Sequence, residues 1–387
     1  MGAGPVGLTA AHVLSKYCDV TLIDFKMPHD KPTQFSSQVV SLIKPSIELL
    51  TTLIDINNVL MNPYFKVKCQ VDNNNFGFPM EACIVDVASL KYELYNKLPK
   101  NVQFIQGNID KIENNEASIS VQCNNIKHTG FMAFNTLGKY NKFSADIKRF
   151  DYHEVGIVAS LELERDNVVG FQRFLPSGPI ALLPTGLRSA SLVWTLPRNT
   201  AESILNLKEF DVQQRTNLIN LSFQNQEYDV EFKLNELNQD LMSDHGDYFP
   251  YITSCGPFNS FPLGFHHLSE YGRDRLVAIG DAAHSIHPLA GMGLNLGLGD
   301  VKTLDAIFQN IPNLEKQTII DDVLITEEFE KKNHYRNSSM IWACDMMHDL
   351  FATRGTFFSG IRNLSTKFFK SETFWSNVMQ ERVNKLY

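Results

Sequence analysis

The sequence predicts an α/β protein in which a mostly parallel, helix-flanked nucleotide-binding sheet carries an inserted antiparallel sheet and is followed by a helical C-terminus. Three observations predict it. A glycine-rich turn, a helix and a strand open the chain at 2–24; strand patterns separated by Gly and Pro turns fill 154–196; a strand breaks into a glycine-rich helix entry at 275–301. At 387 residues, 43% hydrophobic and 20% charged, the chain is long enough for two or three domains and a large core.

The opening segment comes first. Gly2-Ala3-Gly4-Pro5-Val6-Gly7 fits G-x-G-x-x-G, and the following residues to 14 have the apolar spacing of a packed helix. Asp19-Val20-Thr21-Leu22-Ile23-Asp24 reads as a strand ending in a carboxylate about 20 residues past the glycines, where such an acid takes a ribose hydroxyl. The glycines supply the tight turn, room for a pyrophosphate and close helix-to-strand contact, while the helix N-terminus offers positive potential. This fingerprint normally follows a buried strand, yet only Met1 precedes it. Losing several buried Val or Ile side chains, at roughly 1.5 to 3 kcal/mol each, would rival the whole stability, so the expectation is a true start upstream.

After Asp24 a loop rich in Pro, Lys and Ser leads to Ser36-Ser37-Gln38-Val39, and 45–56 has helical spacing. Strands are expected at 67–71 and 76–78 around Asp72-Asn73-Asn74-Asn75, leaving the first sheet for a second one. A helix at 88–98 is followed by a strand at 102–106 and a hairpin of 110–113 with 118–123, joined at Asn114-Asn115. Strand patterns at 155–163, 169–174, 180–183 and 191–196 give the inserted antiparallel sheet, and ligands commonly bind between domains. Helices are expected from 201 to about 241 and from 327 onward, with Ser260-Phe261-Pro262-Leu263 leading back to the first sheet through a strand at 276–279.

The richest stretch is 275–301. The strand breaks at Gly280-Asp281, and Gly291, Gly293, Gly297 and Gly299 then stand at a helix entry, where each glycine costs about 1 kcal/mol against alanine. Such a cluster implies close approach to the backbone. A carboxylate followed by unpaired N–H groups at a helix N-terminus suits a polar, partly anionic ligand, which beside the dinucleotide turn is read as a flavin.

Bulk properties exclude several classes. A net charge of −8 without a basic face argues against nucleic-acid binding. Cys18, Cys69, Cys83, Cys123, Cys255 and Cys344 form no C-x-x-C pair, as expected of buried thiols in a reducing compartment. His284 and His287 stand at i, i+3, but no carboxylate or third histidine has metal spacing, so no metal is expected. No apolar run of about 18 residues could span a bilayer, and no targeting segment is evident. The C-terminus differs from the rest: Phe357, Ile361, Leu364 and Phe368 form a stripe at helical spacing, and 350–387 holds six Lys or Arg against two Asp or Glu. That pattern fits either a membrane interface or packing against the protein body or a partner subunit.

The segments 2–7, 170–179 (Gly170-Phe171-Gln172-Arg173-Phe174-Leu175-Pro176-Ser177-Gly178-Pro179), 261–263, 280–284 (Gly280-Asp281-Ala282-Ala283-His284) and 288–295 resemble, nearly end to end, the flavin-dependent aromatic hydroxylases, specifically the UbiH-type ubiquinone-biosynthesis monooxygenases. The resemblance implies a para-hydroxybenzoate-hydroxylase-like architecture: a Rossmann-like FAD-binding domain from 1–62, 86–150 and 263–325, a substrate domain from 63–85 and 151–262, and C-terminal helices at 326–387. It implies FAD in an extended pose, with the ADP end at Gly2, Gly4, Gly7, Asp24 and Gln38. Gly280 and Asp281 would lie near the ribityl-phosphate linker, and Pro288, Gly291, Gly293, Leu294 and Asn295 at the flavin. The implied activity is hydroxylation of a polyprenylated phenol by O2 through a flavin hydroperoxide, with NAD(P)H or a protein electron donor as reductant; the residues that carry the chemistry stay unassigned.

The implied setting is a ubiquinone-biosynthesis complex, peripheral to a membrane through the C-terminus. It is the inner membrane in a bacterium, or the matrix side of a mitochondrion. Three departures mark a divergent member. Leu137 stands where the family carries the acid of an Asp-Gly motif, Gln38 where many relatives have arginine, and Gly299 at a frequent arginine before Asp300. They imply altered FAD affinity or a protein electron donor. The competing readings are a non-catalytic flavoprotein subunit of the same assembly, and a flavin hydroxylase of a soluble phenol.

Overall fold

Strands outnumber helices among the described residues of this chain, and period-two burial marks several of them, such as Gly170–Leu175 and Gly178–Gly186. The computed structural model describes residues 1–387 apart from 29, 72–73, 140–142, 144–146, 176, 207–210, 225–247, 287–290, 312–321 and 353–387. Helix α1 (Pro5–Leu14) has proline in its first turn, where φ is preset and no amide hydrogen is needed, and it buries Leu8, Val13 and Leu14. Strand β1 (Val20–Asp24) buries Leu22 and Ile23. Strand β2 (Val39–Ile43) runs into α2 (Lys44–Thr51), which also starts with proline.

Strands β3 (Met61–Val71) and β4 (Asn74–Asp86) pair from Met61 with Val85 to Val71 with Asn74. They are much longer than expected, because polar Lys and Asn alternate with the half-buried apolar positions and mask the pattern. Asp86 caps α3 (Val87–Asn96) by accepting the Ser89 N–H at 2.7 Å. Strand β5 (Val102–Gln106) matches expectation, and the expected hairpin is a three-stranded meander of β6 (Ile109–Asn114), β7 (Ile119–Cys123) and β8 (Ile126–Gly130), followed by β9 (Ala133–Asn135).

The second half supplies β10 (Ile147–Leu163), β11 (Gly170–Leu175), β12 (Gly178–Gly186) and β13 (Ser189–Pro197), then α4 (Arg198–Asn206) and α5 (Val212–Gln224). Strands β14 (Ile252–Cys255), β15 (Asn259–Leu268), β16 (Gly272–Arg273), β17 (Leu276–Ala278) and β18 (His284–Ser285) precede α6 (Gly293–Gln309) and α7 (Asp322–Ala352). Strand β15 was not evident in the sequence, because Pro262 argues against a central strand. Beyond β10, its described partner is β18, which pairs only at His266 and His267, so Pro262 lies along an edge.

Ten strands form the large sheet, in the order β18-β15-β10-β13-β12-β11-β3-β4-β2 with β14 also on β10. Every pairing is antiparallel except β3 with β11, which is parallel. Apolar residues of β10 to β13 pack with α4 and α5 around Trp194, which is fully buried; Arg173 of β11 also points to that side, giving its guanidinium to the Ser222 carbonyl at 2.8 Å. Apart from the large sheet stand two parallel pairs, β1 with β5 and β9 with β17. Between them lies only the opening dipeptide. The Gly2 N–H donates to Ile23 O at 2.7 Å, the Met1 nitrogen to Phe134 O at 2.8 Å, and the Thr136 N–H to Met1 O at 2.8 Å.

Candidate cofactor site

Three loops meet at the carboxyl ends of these parallel strands, where ligands of open α/β sheets bind. They are the glycine turn after Met1, residues 136–139 after β9, and Gly280-Asp281 after β17. The fingerprint glycines divide by role. A Cβ on Gly7 would lie 1.9 Å from Gly2 O, and one on Gly2, whose φ is +99°, would lie 2.5 Å from Thr136 O, so both are required by protein packing. A Cβ on Gly4 would meet nothing within 4 Å. Gly4 is also the N-cap of α1, with no side chain capping the helix, so that open space faces first-turn amides.

Asp24 closes the same turn. One oxygen accepts the Ala3 N–H and the other the Lys26 N–H at 3.0 Å, leaving lone pairs on both oxygens for a hydroxyl. Gln38 is exposed; its backbone is held by the Ser36 hydroxyl at 3.1 Å, and Ser36 in turn donates to Asp86 at 2.6 Å.

At the far end, Gly280 turns the chain with φ +60° and leaves Asp281 open to solvent on one side. Crowding by protein on its other sides pushes the Asp281 carboxyl upward; His284 and Lys139 oppose that shift and Asp300 adds to it. Pro288 lies outside the described residues. Gly291, at φ +60°, sits against Ser41, whose hydroxyl pairs with Tyr64 at 2.7 Å; burial pushes that phenol upward.

Helix α6 begins at Gly293, again without a capping side chain, and a Cβ on Gly293 would meet nothing within 4 Å. Leu294 packs partly buried against the core. The Asn295 side chain is engaged with protein: its carbonyl accepts from the Ile43 N–H at 3.1 Å and the Ser46 hydroxyl at 2.8 Å, and its amide donates to Ser41 O at 2.8 Å and Gly291 O at 3.1 Å. What Asn295 offers a ligand is its backbone. At Gly297 the expected close approach to the backbone is made by protein, since a Cβ there would lie 2.6 Å from Val6 Cγ2 and 3.2 Å from Gly280 Cα; it lets α6 pack on α1.

Behind this end lies a buried ionic cluster that the sequence reading missed. Asp300 is fully buried; one oxygen accepts from Gly280 N–H at 2.9 Å and His284 Nε2 at 2.7 Å, the other from Arg336 at 2.7 Å and Asn337 at 3.1 Å. Burial alone would raise this carboxyl, but His284, Arg336 and the Gly280 N–H together hold it below its ordinary value. The available signal was a lone acid in the glycine- and leucine-rich start of α6. Among the described residues no group of His, Cys, Asp and Glu could hold a metal.

Relatives decide between a generic nucleotide cradle and a flavin one. The FAD binding domain family matches residues 168–311, and a family described as squalene epoxidase matches 255–381. The mitochondrial ubiquinone biosynthesis monooxygenase COQ6 of Danio rerio is 36% identical over 215 residues, covering 53% of this chain and 44% of its own. Its Saccharomyces cerevisiae counterpart is 27% identical over 425 residues, covering 91% and 86%. The chain is a homologue of the ubiquinone-biosynthesis monooxygenases. It spans less than half the length of the Danio rerio and Dictyostelium discoideum members in those alignments.

The fold is that of the flavin hydroxylases. Klebsiella pneumoniae HpxO, solved with FAD and uric acid, superposes at TM-score 0.69 with 15% identity, covering 100% of this chain and 95% of its own. PqsL, a probable FAD-dependent monooxygenase from Pseudomonas aeruginosa, gives 0.70 with 16% identity, covering 94% and 98%. The geometry fits the family's cofactor, because two uncapped helix starts, each with a glycine facing open space, suit the diphosphate and the flavin ring of an extended FAD. Leu137 packs partly buried against the small core that contains Ile23, and Lys139 stands two residues on.

Proposed function

We propose that this chain is an FAD-dependent monooxygenase that hydroxylates the aromatic ring of a polyprenylated phenol in ubiquinone biosynthesis. The observation that carries the reading is the likeness to a ubiquinone biosynthesis monooxygenase across 91% of the chain, coinciding with a two-ended cradle at the strand edge. In this reading Gly2, Gly4, Gly7 and the start of α1 receive the diphosphate, Asp24 the ribose, and Gln38 borders the adenosine half. Gly280 and Asp281 face the ribityl chain, and Gly291, Gly293, Leu294 and Asn295 frame the flavin ring, with Pro288, outside the described residues, assigned there from the sequence alone.

Bound FAD supplies the redox chemistry that activates O2, with NAD(P)H or a protein donor as reductant. The chain's own contribution is positional. The start of α6 would hold the pyrimidine edge of the ring, where its positive end would favour negative charge, and Asn295 locks that helix start to β2. The Ser41–Tyr64 hydroxyl pair lies beside Gly291 and gives the ring end a polar wall.

A polyprenylated phenol is dissolved in membrane, and no helix among the described residues is long and apolar enough to cross one. Collection of substrate then falls to peripheral contact, for which the basic, aromatic segment 353–387 is the proposed element, outside the described residues. The proposed location is the matrix side of the mitochondrial inner membrane; the relatives' names say mitochondrial for those proteins. The test has two parts. Purified protein should show a flavin absorption spectrum, and deletion of the gene should accumulate a less hydroxylated quinone precursor; a colourless protein with an unchanged precursor profile would sink the reading. Leu137 and Gln38 favour a second reading, a flavoprotein subunit that scaffolds the assembly without turnover, which predicts full complementation of the deletion by a variant unable to bind FAD.

A further inference from the structure

Lys139 ends the described run 136–139 of the loop that follows β9, one of the three edge loops, two residues past Leu137. The chain leaves β9 through Thr136, whose N–H and hydroxyl bind Met1 O, the hydroxyl also reaching Gly2 O at 2.8 Å, so residues 136–139 are fixed against the glycine turn. Gly138 then turns at φ +81° into open space, and the half-buried Lys139 places its ammonium 3.1 Å from Pro262 O on β15. From there it is close enough to Asp281 for their charges to couple. Lys139 is the only Lys or Arg among the described residues of these three loops; Lys26, two residues past Asp24, is exposed.

We propose that Lys139 is the cationic contact for the diphosphate of FAD, supplying a full positive charge beside the neutral Leu137 of this loop. The proposal rests on the FAD reading above. A diphosphate carrying two negative charges must settle between Asp24 and Asp281, and helix starts supply only about half a charge each. With Gln38 neutral, the Lys139 ammonium, anchored at Pro262 O and coupled in charge to Asp281, is the available compensation.

The experiment is titration of cofactor-free protein with FAD, followed by quenching of flavin fluorescence, for the wild type, Lys139→Met and Lys139→Arg. Lys139→Met should weaken FAD about tenfold at low salt, with the deficit shrinking as salt rises, and Lys139→Arg should restore most of it. Riboflavin, which lacks phosphate, should bind Lys139→Met and wild type alike, and the melting temperature of the cofactor-free variant should be unchanged. Equal losses for FAD and riboflavin, an unchanged FAD affinity, or a cofactor-free protein that melts early would overturn the assignment. A wild-type protein that binds no FAD would instead overturn the flavin reading itself.

Discussion

Gly4 and Gly7 stand three residues apart in one turn, yet a methyl group added to each meets different surroundings. On Gly7 it overlaps the Gly2 carbonyl at 1.9 Å, so Gly7→Ala should lose several kcal/mol of stability, read as early melting of the cofactor-free protein. On Gly4 it meets open space, so Gly4→Ala should keep its melting behaviour within about 0.5 kcal/mol while flavin absorbance of the purified protein falls sharply. Gly4→Ala with unchanged flavin content would remove Gly4 from the site. Cysteines separate in the same way. The expectation of six buried thiols fails at Cys18, which is exposed, and partly at Cys83. Burial pushes Cys69 and Cys255 up to about 12, so at neutral pH a thiol reagent should label Cys18 first and leave those two untouched until the protein unfolds.

At the scale of elements, Asp300 joins three pieces distant in sequence: the Gly280 turn, helix α6 that carries it, and α7 through Arg336 and Asn337. Its oxygens are fully occupied and water is excluded, so removing one partner leaves an uncompensated buried charge. Arg336→Met should therefore cost about 3 to 5 kcal/mol and loosen the Gly280 turn, lowering flavin content together with melting temperature. The pH dependence has a definite sign. A carboxyl held below its ordinary value contributes stability that is present above the unfolded value, about pH 4, and lost as pH falls through the depressed native one. Denaturant midpoints measured downward from pH 5 should fall more steeply for wild type than for Asp300→Asn, and parallel curves would show that this cluster does not set the acid limit.

Across the whole molecule, the sequence was legible where a residue type has one structural use. The two glycine-rich segments, Asp24 and the strands β10 to β13 could be read because turn, carboxylate and period-two signals do not depend on distant neighbours. Strand β15 could not, since Pro262 is acceptable only at an edge that pairing creates. Nor could the division of the glycines, because Gly297 and Gly4 differ only in what the fold places opposite them: Val6 and Gly280 in one case, open space in the other.

The same separation gives a prediction for the whole chain. A ligand bound across all three loops stabilises only the folded state, by about 2.7 kcal/mol when present at a hundred times its Kd. FAD should then raise the melting temperature by several degrees, riboflavin by less because it lacks the adenine half and the diphosphate, and ADP should recover part of the remainder. Equal shifts with FAD and riboflavin would mean that the flavin end acts alone, and that the turn at Gly2 to Gly7 packs the protein without holding the cofactor.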